Sequence, residues 1–346
     1  MRVTNQMMST TYLKDLNKNL NNLNTLNKQL TTGKEISKPS DNPFKTARIM
    51  QMYSDISANK QYNENIKDTI NWLDTTDVAL EQIGNSAQRI RELMVSAGNA
   101  SYGSDEKNAL KEEINEKINE IAQVLNTNYD GKYIFGGTKS LSKPVGVEKD
   151  SNGNNILVFK DDNGNSFNEE GKAYIKNADG TITRDANGNL AVEANPKPEY
   201  EKLLNQMKSS LNVEVSNGVN MSYNVGTPSI LTLKNGTNVM KLLNDVVNNL
   251  DKVDSSDVIK GNLEEMDLFV SNVSSIRGEV GAKQNRMDSA KTQNEEQNLT
   301  MKDVLSKTED IDIAEKTIDL ATLQAIYQAS LQVSASIIQK SLVDYI

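Results

Sequence analysis

The chain contains no cysteine and no histidine, so any side-chain chemistry falls to carboxylates, lysines, tyrosines and hydroxyls. Thiol nucleophiles, disulfides, thiolate or imidazole zinc sites and serine–histidine pairs are excluded together. Carboxylates are plentiful, 47 Asp and Glu against 38 Lys and Arg, and adjacent acids such as Glu169 and Glu170 occur. Two acids at a suitable separation could hydrolyse a glycosidic bond. Such pairs arise freely in an acidic chain, so no catalytic residue is assigned and no cofactor is expected. Asp-Asn-Gly clusters beginning at Asp150, Asp161 and Asp185 invite a calcium reading. An EF-hand loop needs Gly at its sixth position and Glu at its twelfth. Here Gly comes fourth and the twelfth residue is Asp161, Lys172 or Pro196, so hairpin turns are expected rather than a metal site. The net charge of −9 argues against nucleic acid as a partner.

With little chemistry on offer, the organising feature is the stretch Leu320 to Gln339, which has no charged residue but four glutamines, three serines and a threonine. Wound as a helix, it aligns Leu320, Leu323, Tyr327, Leu331, Ile338 and Leu342, with Ile326, Val333 and Ile337 beside them. Its polar side chains are too many for a membrane span. The apolar arc is wider than one neighbour needs, and an uncharged back avoids repulsion if identical subunits stack closely. The competing reading is an ordinary core helix of a monomer. Near the other end, Leu13, Leu16, Leu20, Leu23, Asn27 and Leu30 alternate steps of three and four, a heptad seam with Asn27 in it. Residues 1–39 carry six basic and two acidic groups, whereas 306–346 carry three basic and six acidic ones. The two ends are complementary in charge and pattern, and a coiled coil between them is expected.

Between these ends, Gly33, Pro39 and Pro43 break the first helix, and Asp41 or Asn42 can cap the next with Pro43 at its first position. Ile66, Ile70, Leu73, Asp77, Leu80, Ile83, Ala87, Ile90 and Met94 keep a helical stripe interrupted only by Asp77. After a Gly98 to Gly103 break, Ser104 is expected to cap a helix carrying Leu110, Ile114, Ile121 and Val124. Residues 139–235 alternate short apolar runs with Asp-Asn-Gly turns and read as hairpins. Ile259, Leu263, Met266, Val270, Val273, Arg277, Val280, Gln284 and Met287 form a further heptad, interrupted by Arg277 and Gln284. The expected fold is mainly α with a β-rich insertion, in nested discontinuous domains. These are a terminal two-helix coiled coil (1–43 with 306–346), a rod-like helical bundle trunk (44–138 with 236–305) and an outer β domain (139–235). The opening MRVTNQMMSTTYLKD lacks the apolar segment of a cleaved secretory signal, and no later run approaches a membrane span. That suits either the cytosol or export without a cleaved signal.

Several stretches occur in an order that resembles the flagellin superfamily: LTTGKEISKPSDNP (30–43), NSAQRIRELMVSAGNAS (85–101), EINEKINEIAQVLNTNYDGKYIFGG (113–137) and the closing DIDIAEKTIDLATLQAIYQASLQVSASIIQKSLVDYI. MRVTNQMM, KYIFGGT and LVDYI resemble its hook–filament junction branch. The resemblance implies a non-enzymatic axial component of the bacterial flagellum, outside the cell, exported by the type III apparatus without a cleaved signal. Its implied partners are flagellin, the preceding hook–filament junction protein, its own subunits in a ring and an export chaperone, with no nucleic acid and no membrane insertion. Leu13, Leu16, Leu20, Leu23 and Leu30, with Leu320, Leu323, Tyr327, Leu331, Ile338 and Leu342, would pack the inner tube. Leu320, Leu323, Tyr327 and Leu331 would also receive the chaperone. Arg89, Leu93 and Glu113 resemble the flagellin surface that an animal innate receptor recognises, with a plain solvated helix face as the competing account. Two alternatives stand beside the junction reading: a filament flagellin, and a carboxylate glycan-active enzyme in the insertion.

Overall fold

The computed structural model describes residues 5–98, 103–185, 188–250 and 256–338. It divides into two compact units, one formed by residues 1–61 with 295–346 and the other by residues 62–294. No helix among the described residues is long and apolar enough to cross a membrane.

In the first unit, helix α1 (Asn5–Thr32) ends where Gly33 takes φ 70°, its N–H bonding to Gln29 O at 2.8 Å. Glycine is used here because a left-handed residue must close the last turn. Helix α2 (Pro43–Ala97) starts with Pro43 at its first position. Asn42 caps it, accepting from Lys45 N at 3.0 Å. Ile49 and Ile56 of α2 pack with Leu305, and Ile36, Met52 and Met301 flank them.

The second unit holds the main core. Ile66, Leu73, Leu80, Ile83, Ala87 and Ile90 of α2 meet Ile114, Ile118 and Ile121 of α3 (Ser104–Leu125) and Met266, Phe269, Val273, Val280 and Met287 of α7 (Ser256–Glu309). The cap of α3 is Gly103 rather than Ser104, which is its first helical residue. The first turn nevertheless carries Asp105 and Glu106 where the helix dipole favours acids. Most of the Gly98 to Gly103 break lies outside the described residues. Two interruptions of the apolar stripes answer each other: Arg277 donates to Asp77 at 3.0 and 3.1 Å and to Glu81 at 3.3 Å, while Gln284 donates to Asp74 at 2.8 Å. Rising numbers on α2 meet falling numbers on α7, so the two run antiparallel and these polar pairs pin their register. Arg277 is about a third exposed, so its removal should cost only ~1 kcal/mol. A double-mutant cycle on Arg277→Leu and Asp77→Leu by urea unfolding measures it.

Strands β1 (Asn128–Tyr129) and β2 (Lys132–Tyr133) form a two-residue hairpin turning through Asp130 (φ 50°) and Gly131 (φ 76°). Positive φ at both central residues is the type I′ requirement. Strands β3 (Val145–Lys149), β4 (Asn155–Lys160) and β5 (Ser166–Phe167) form an antiparallel sheet in that order. In β4 the whole run Ile156 to Phe159 is buried, because alternate side chains serve different clusters. Leu157 and Phe159 join the main core, whereas Ile156 and Val158 pack with Ile182. The Asp-Asn-Gly clusters at Asp150 and Asp161 are turns, as expected, and the middle of the one at Asp185 lies outside the described residues. The Asp150 and Asp161 carboxylates each accept from backbone N–H groups two and four residues on, with Gly153 and Gly164 at φ 82° and 83°.

The stretch expected as hairpins also contains a helix, α4 (Pro198–Lys208), whose apolar Tyr200, Leu204 and Met207 recur at helical spacing after a proline start. Strands β6 (Asn212–Ser216) and β7 (Val219–Ser222), helix α5 (Thr227–Leu231) and helix α6 (Val239–Leu250) follow.

Between β3 and β4 an ion cluster ties the sheet. Glu148 accepts from Lys176 Nζ at 2.7 Å and from Lys160 Nζ and Ser166 Oγ. Burial would raise its carboxyl, but these donors outweigh it and hold the group below its ordinary value. A depressed carboxylate contributes stability that is full above the unfolded value of about 4.3 and fades as pH falls through the folded one. Glu148→Gln should therefore flatten the acid limb of stability against pH, measured as the urea midpoint from pH 6 downward.

Candidate assembly interface of the terminal helices

Helix α8 (Ile313–Ile338) packs along α1. Tyr12 donates its hydroxyl to Ser330 O at one end, and Lys34 bridges Asp310 in antiparallel fashion at the other, so the helices run antiparallel. The second tie is elaborate. Glu35 N donates to Glu309 O at 2.7 Å and Ile311 N to Gly33 O at 3.1 Å. Nearly buried Glu309 accepts from Lys34 Nζ at 2.5 Å and Tyr53 OH at 2.6 Å, and Lys34 lies 5.3 Å from the centre of the Tyr53 ring. The Glu309 bond, and then the Tyr53 bond, raise the Lys34 ammonium above the usual lysine range. This junction holds the α1–α2 connection against the start of α8.

The seam on α1 is rotated from the expected one. Tyr12, Leu16, Asn19, Leu23 and Leu30 are half-buried and Leu26, at 8 % exposure, is the most buried of the described side chains of α1. Asn27 is exposed, so the polar residue in the seam is Asn19. Leu13 and Leu20, expected to pack inside, are 48 % and 40 % exposed and share a neighbouring strip with Asn27, one heptad apart. The reason is that steps of three and four fit two parallel tracks on a leucine-rich helix. The track through Tyr12, Leu16, Leu23, Leu26 and Leu30 carries as many large residues as the expected one, so spacing alone does not choose and the packing against α8 does. Leu26, three after Leu23 and four before Leu30, is the signal that marks this second track.

On α8, Leu320, Leu323 and Tyr327 are half-buried and Leu331 is exposed. The side chain of Ile338 and all of Leu342 lie outside the described residues. Ile326 and Val333 flank the seam on one side and Leu331 on the other, all more than 40 % exposed. The pair thus buries one apolar track per helix and leaves apolar flanks on both, with no charge from Leu320 to Ile338 to oppose close stacking.

The remaining candidates fall elsewhere. Exposed Arg89 donates to half-buried Glu113 at 2.8 Å, but Leu93 is 3 % exposed within the main core, so it does not share their surface. Leu93 lies three residues after Ile90 on the buried stripe. Glu169 and Glu170 line a recess of about 380 Å³ with Tyr174, Lys241 and Asp245.

The described residues are mainly helical, with paired terminal helices and small antiparallel sheets in the segment between them. Residues 3–140 match the bacterial flagellin N-terminal helical region and residues 263–346 the bacterial flagellin C-terminal helical region, and the chain belongs to the flagellin family. It is 29 % identical to a flagellin of Salmonella paratyphi A over 145 residues, 42 % of this chain and 29 % of that protein. Phase 1 flagellin of Salmonella naestved is 29 % identical over 134 residues, 38 % of this chain and 26 % of that protein. The matched stretch thus spans less than a third of these relatives' length. Among solved structures, a candidate flagellar hook-associated protein of Vibrio parahaemolyticus shares the fold at a TM-score of 0.57 and 18 % identity, over 78 % of this chain and 100 % of that one. FlgL of Bacillus cereus aligns at a TM-score of 0.48 and 20 % identity, over 74 % and 99 %.

Proposed function

We propose that this chain is a structural axial component of the bacterial flagellum, forming the ring that joins the hook-side junction protein to the flagellin filament. The observation that carries assembly is the pair of half-covered terminal helices. Leu13 and Leu20 on α1 and Ile326, Leu331 and Val333 on α8 remain exposed within segments that belong to the two flagellin regions. Neighbouring copies would cover these flanks, and flagellin and the preceding junction protein would meet the same surface at the two faces of the ring. The junction position is supported by MRVTNQMM, KYIFGGT and LVDYI and by the shared fold of the hook-associated protein. Export through the type III apparatus without a cleaved signal, to the extracellular flagellum, follows from the same reading.

An export chaperone that takes Leu320, Leu323, Tyr327 and Leu331 must compete with α1, since the first three are half-buried against the terminal pair. That competition is feasible. Fixing each backbone residue costs roughly 1–2 kcal/mol, and a helix pair with uncovered flanks recovers little of it. Amide exchange on the monomer should show Leu16 to Leu30 and Leu320 to Leu331 less protected than Met266 to Met287. Equal protection would refute a labile terminal pair.

Deleting the gene tests the function. Hooks without filaments, with flagellin shed as monomer, are expected. Loss of the filament antigen itself would assign the chain as a flagellin. At the residue level, Leu20→Asp should leave monomer stability within about 0.5 kcal/mol while abolishing incorporation into flagella, read by complementation of motility.

A further inference from the structure

The only tryptophan of the chain, Trp72, stands at the corner of an aromatic recess in the second unit. Its ring centre lies 6.0 Å from that of Tyr129 at 78° and 5.7 Å from that of Tyr223 at 90°. With Asp68, Asp130 and Lys132 these rings line an open space of about 240 Å³. Trp72 comes from α2, Tyr223 from the segment after β7, and Tyr129 and Asp130 from the β1–β2 hairpin, whose type I′ turn sets Asp130 beside the rings. Tyr129 and Tyr223 are half-buried and Trp72 is buried. Trp72 belongs to the main apolar core and both tyrosines pack against it, while the open side of the recess carries the carboxylates.

We propose that this recess binds a methylated ammonium group. Aromatic rings carry negative quadrupole potential on their faces, and three of them line this one space together with two carboxylates, which suits a compact cation. A sugar ring, by contrast, stacks on a single flat platform. Neither Asp68 nor Asp130 has an ion-pair partner among the described residues, and together they outnumber Lys132, leaving the recess net negative. The volume is smaller than a drug-sized ligand needs and accepts one headgroup or one side-chain terminus. The same chemistry is presented by a free quaternary amine and by a trimethylated lysine side chain.

Because Trp72 is the sole indole, its emission reports the recess directly. The full chain is titrated with choline and, separately, with the capped amino acid Nε-trimethyl-lysine, at constant ionic strength, alongside 3,3-dimethylbutanol as the uncharged isostere of choline. A saturable emission change with either cation and none with the isostere supports the proposal, and the tighter ligand identifies the source. Asp130→Asn keeps the turn, since asparagine tolerates positive φ, and should weaken binding severalfold. Tyr223→Leu should abolish it, with far-UV circular dichroism confirming the fold. Absence of saturation with both cations, an equal response to the isostere, or unchanged affinity in Asp130→Asn would overturn the proposal.

Discussion

Gly137→Ala is expected to destabilise the second unit by at least about 3 kcal/mol. Gly137 has φ 59°, and a Cβ placed on it would lie 2.4 Å from Gln206 O and 2.7 Å from Met207 O, both backbone atoms that cannot rotate away. Left-handed strain and close approach add, because relieving either means pulling the chain off the C-terminal carbonyls of α4. Those carbonyls are already engaged: Thr138 donates to Gln206 O through its N–H at 3.0 Å and its hydroxyl at 3.1 Å. Gly226 approaches Met207 O from another segment, where a Cβ would sit 2.0 Å away. The control is Gly131→Ala. Its φ of 76° is as unfavourable, but nothing lies within 4 Å of its Cβ position, so only about 1–2 kcal/mol of strain is expected. Urea midpoints of the two variants separate the conformational from the steric part, and equal losses would refute the close-approach argument.

Asp150→Ala should cost roughly 3–5 kcal/mol. The Asp150 side chain is fully buried and that of Arg184 nearly so, and Arg184 Nε donates to Asp150 Oδ2 at 2.7 Å. Arg184 also reaches Gly188 O at 2.6 Å and Asn244 Oδ1 at 2.7 Å, tying the hairpins to α6. Removing the carboxylate strands a guanidinium away from water and frees the N–H groups of Asn152 and Asn154. Asp150→Asn, which can still accept the turn bonds, should lose less. The double change Asp150→Asn with Arg184→Met should recover part of the loss, because it removes the orphaned charge. Failure of the double variant to recover would mean that packing, not charge, dominates there.

Both predictions fall where sequence reading was weakest. The Asp150 cluster was legible as a turn, since Asp, Asn and Gly have local reasons to form one. That its carboxylate would also meet Arg184, 34 residues on, is a non-local event with no local signature. The same holds for Gly137. KYIFGG marks a turn in the sequence, but the obligation to glycine comes from Gln206 and Met207 of a helix that the alternating texture of 139–235 concealed. Polar residues in apolar stripes show the converse. Asp77 and Arg277 were visible as interruptions, and their pairing followed once α2 and α7 lay antiparallel.

Sequence alone determined the elements whose cause is local or periodic. These are the long helices from their apolar stripes, the start of α2 from Asn42 and Pro43, the end of α1 from Gly33, the hairpin turns, and the pairing of the terminal segments from matched pattern and charge. Tertiary structure decided which of two equivalent leucine tracks on α1 is buried, which places Leu26 inside and leaves Leu13 and Leu20 outside. It also decided that Trp72, Tyr129 and Tyr223 share one recess and that Leu93 is core. The physical reason is common to these cases. Helical periodicity specifies a face only to within a fraction of a turn, and the neighbour that covers it, contributed from elsewhere in the chain, selects the side chains that leave water.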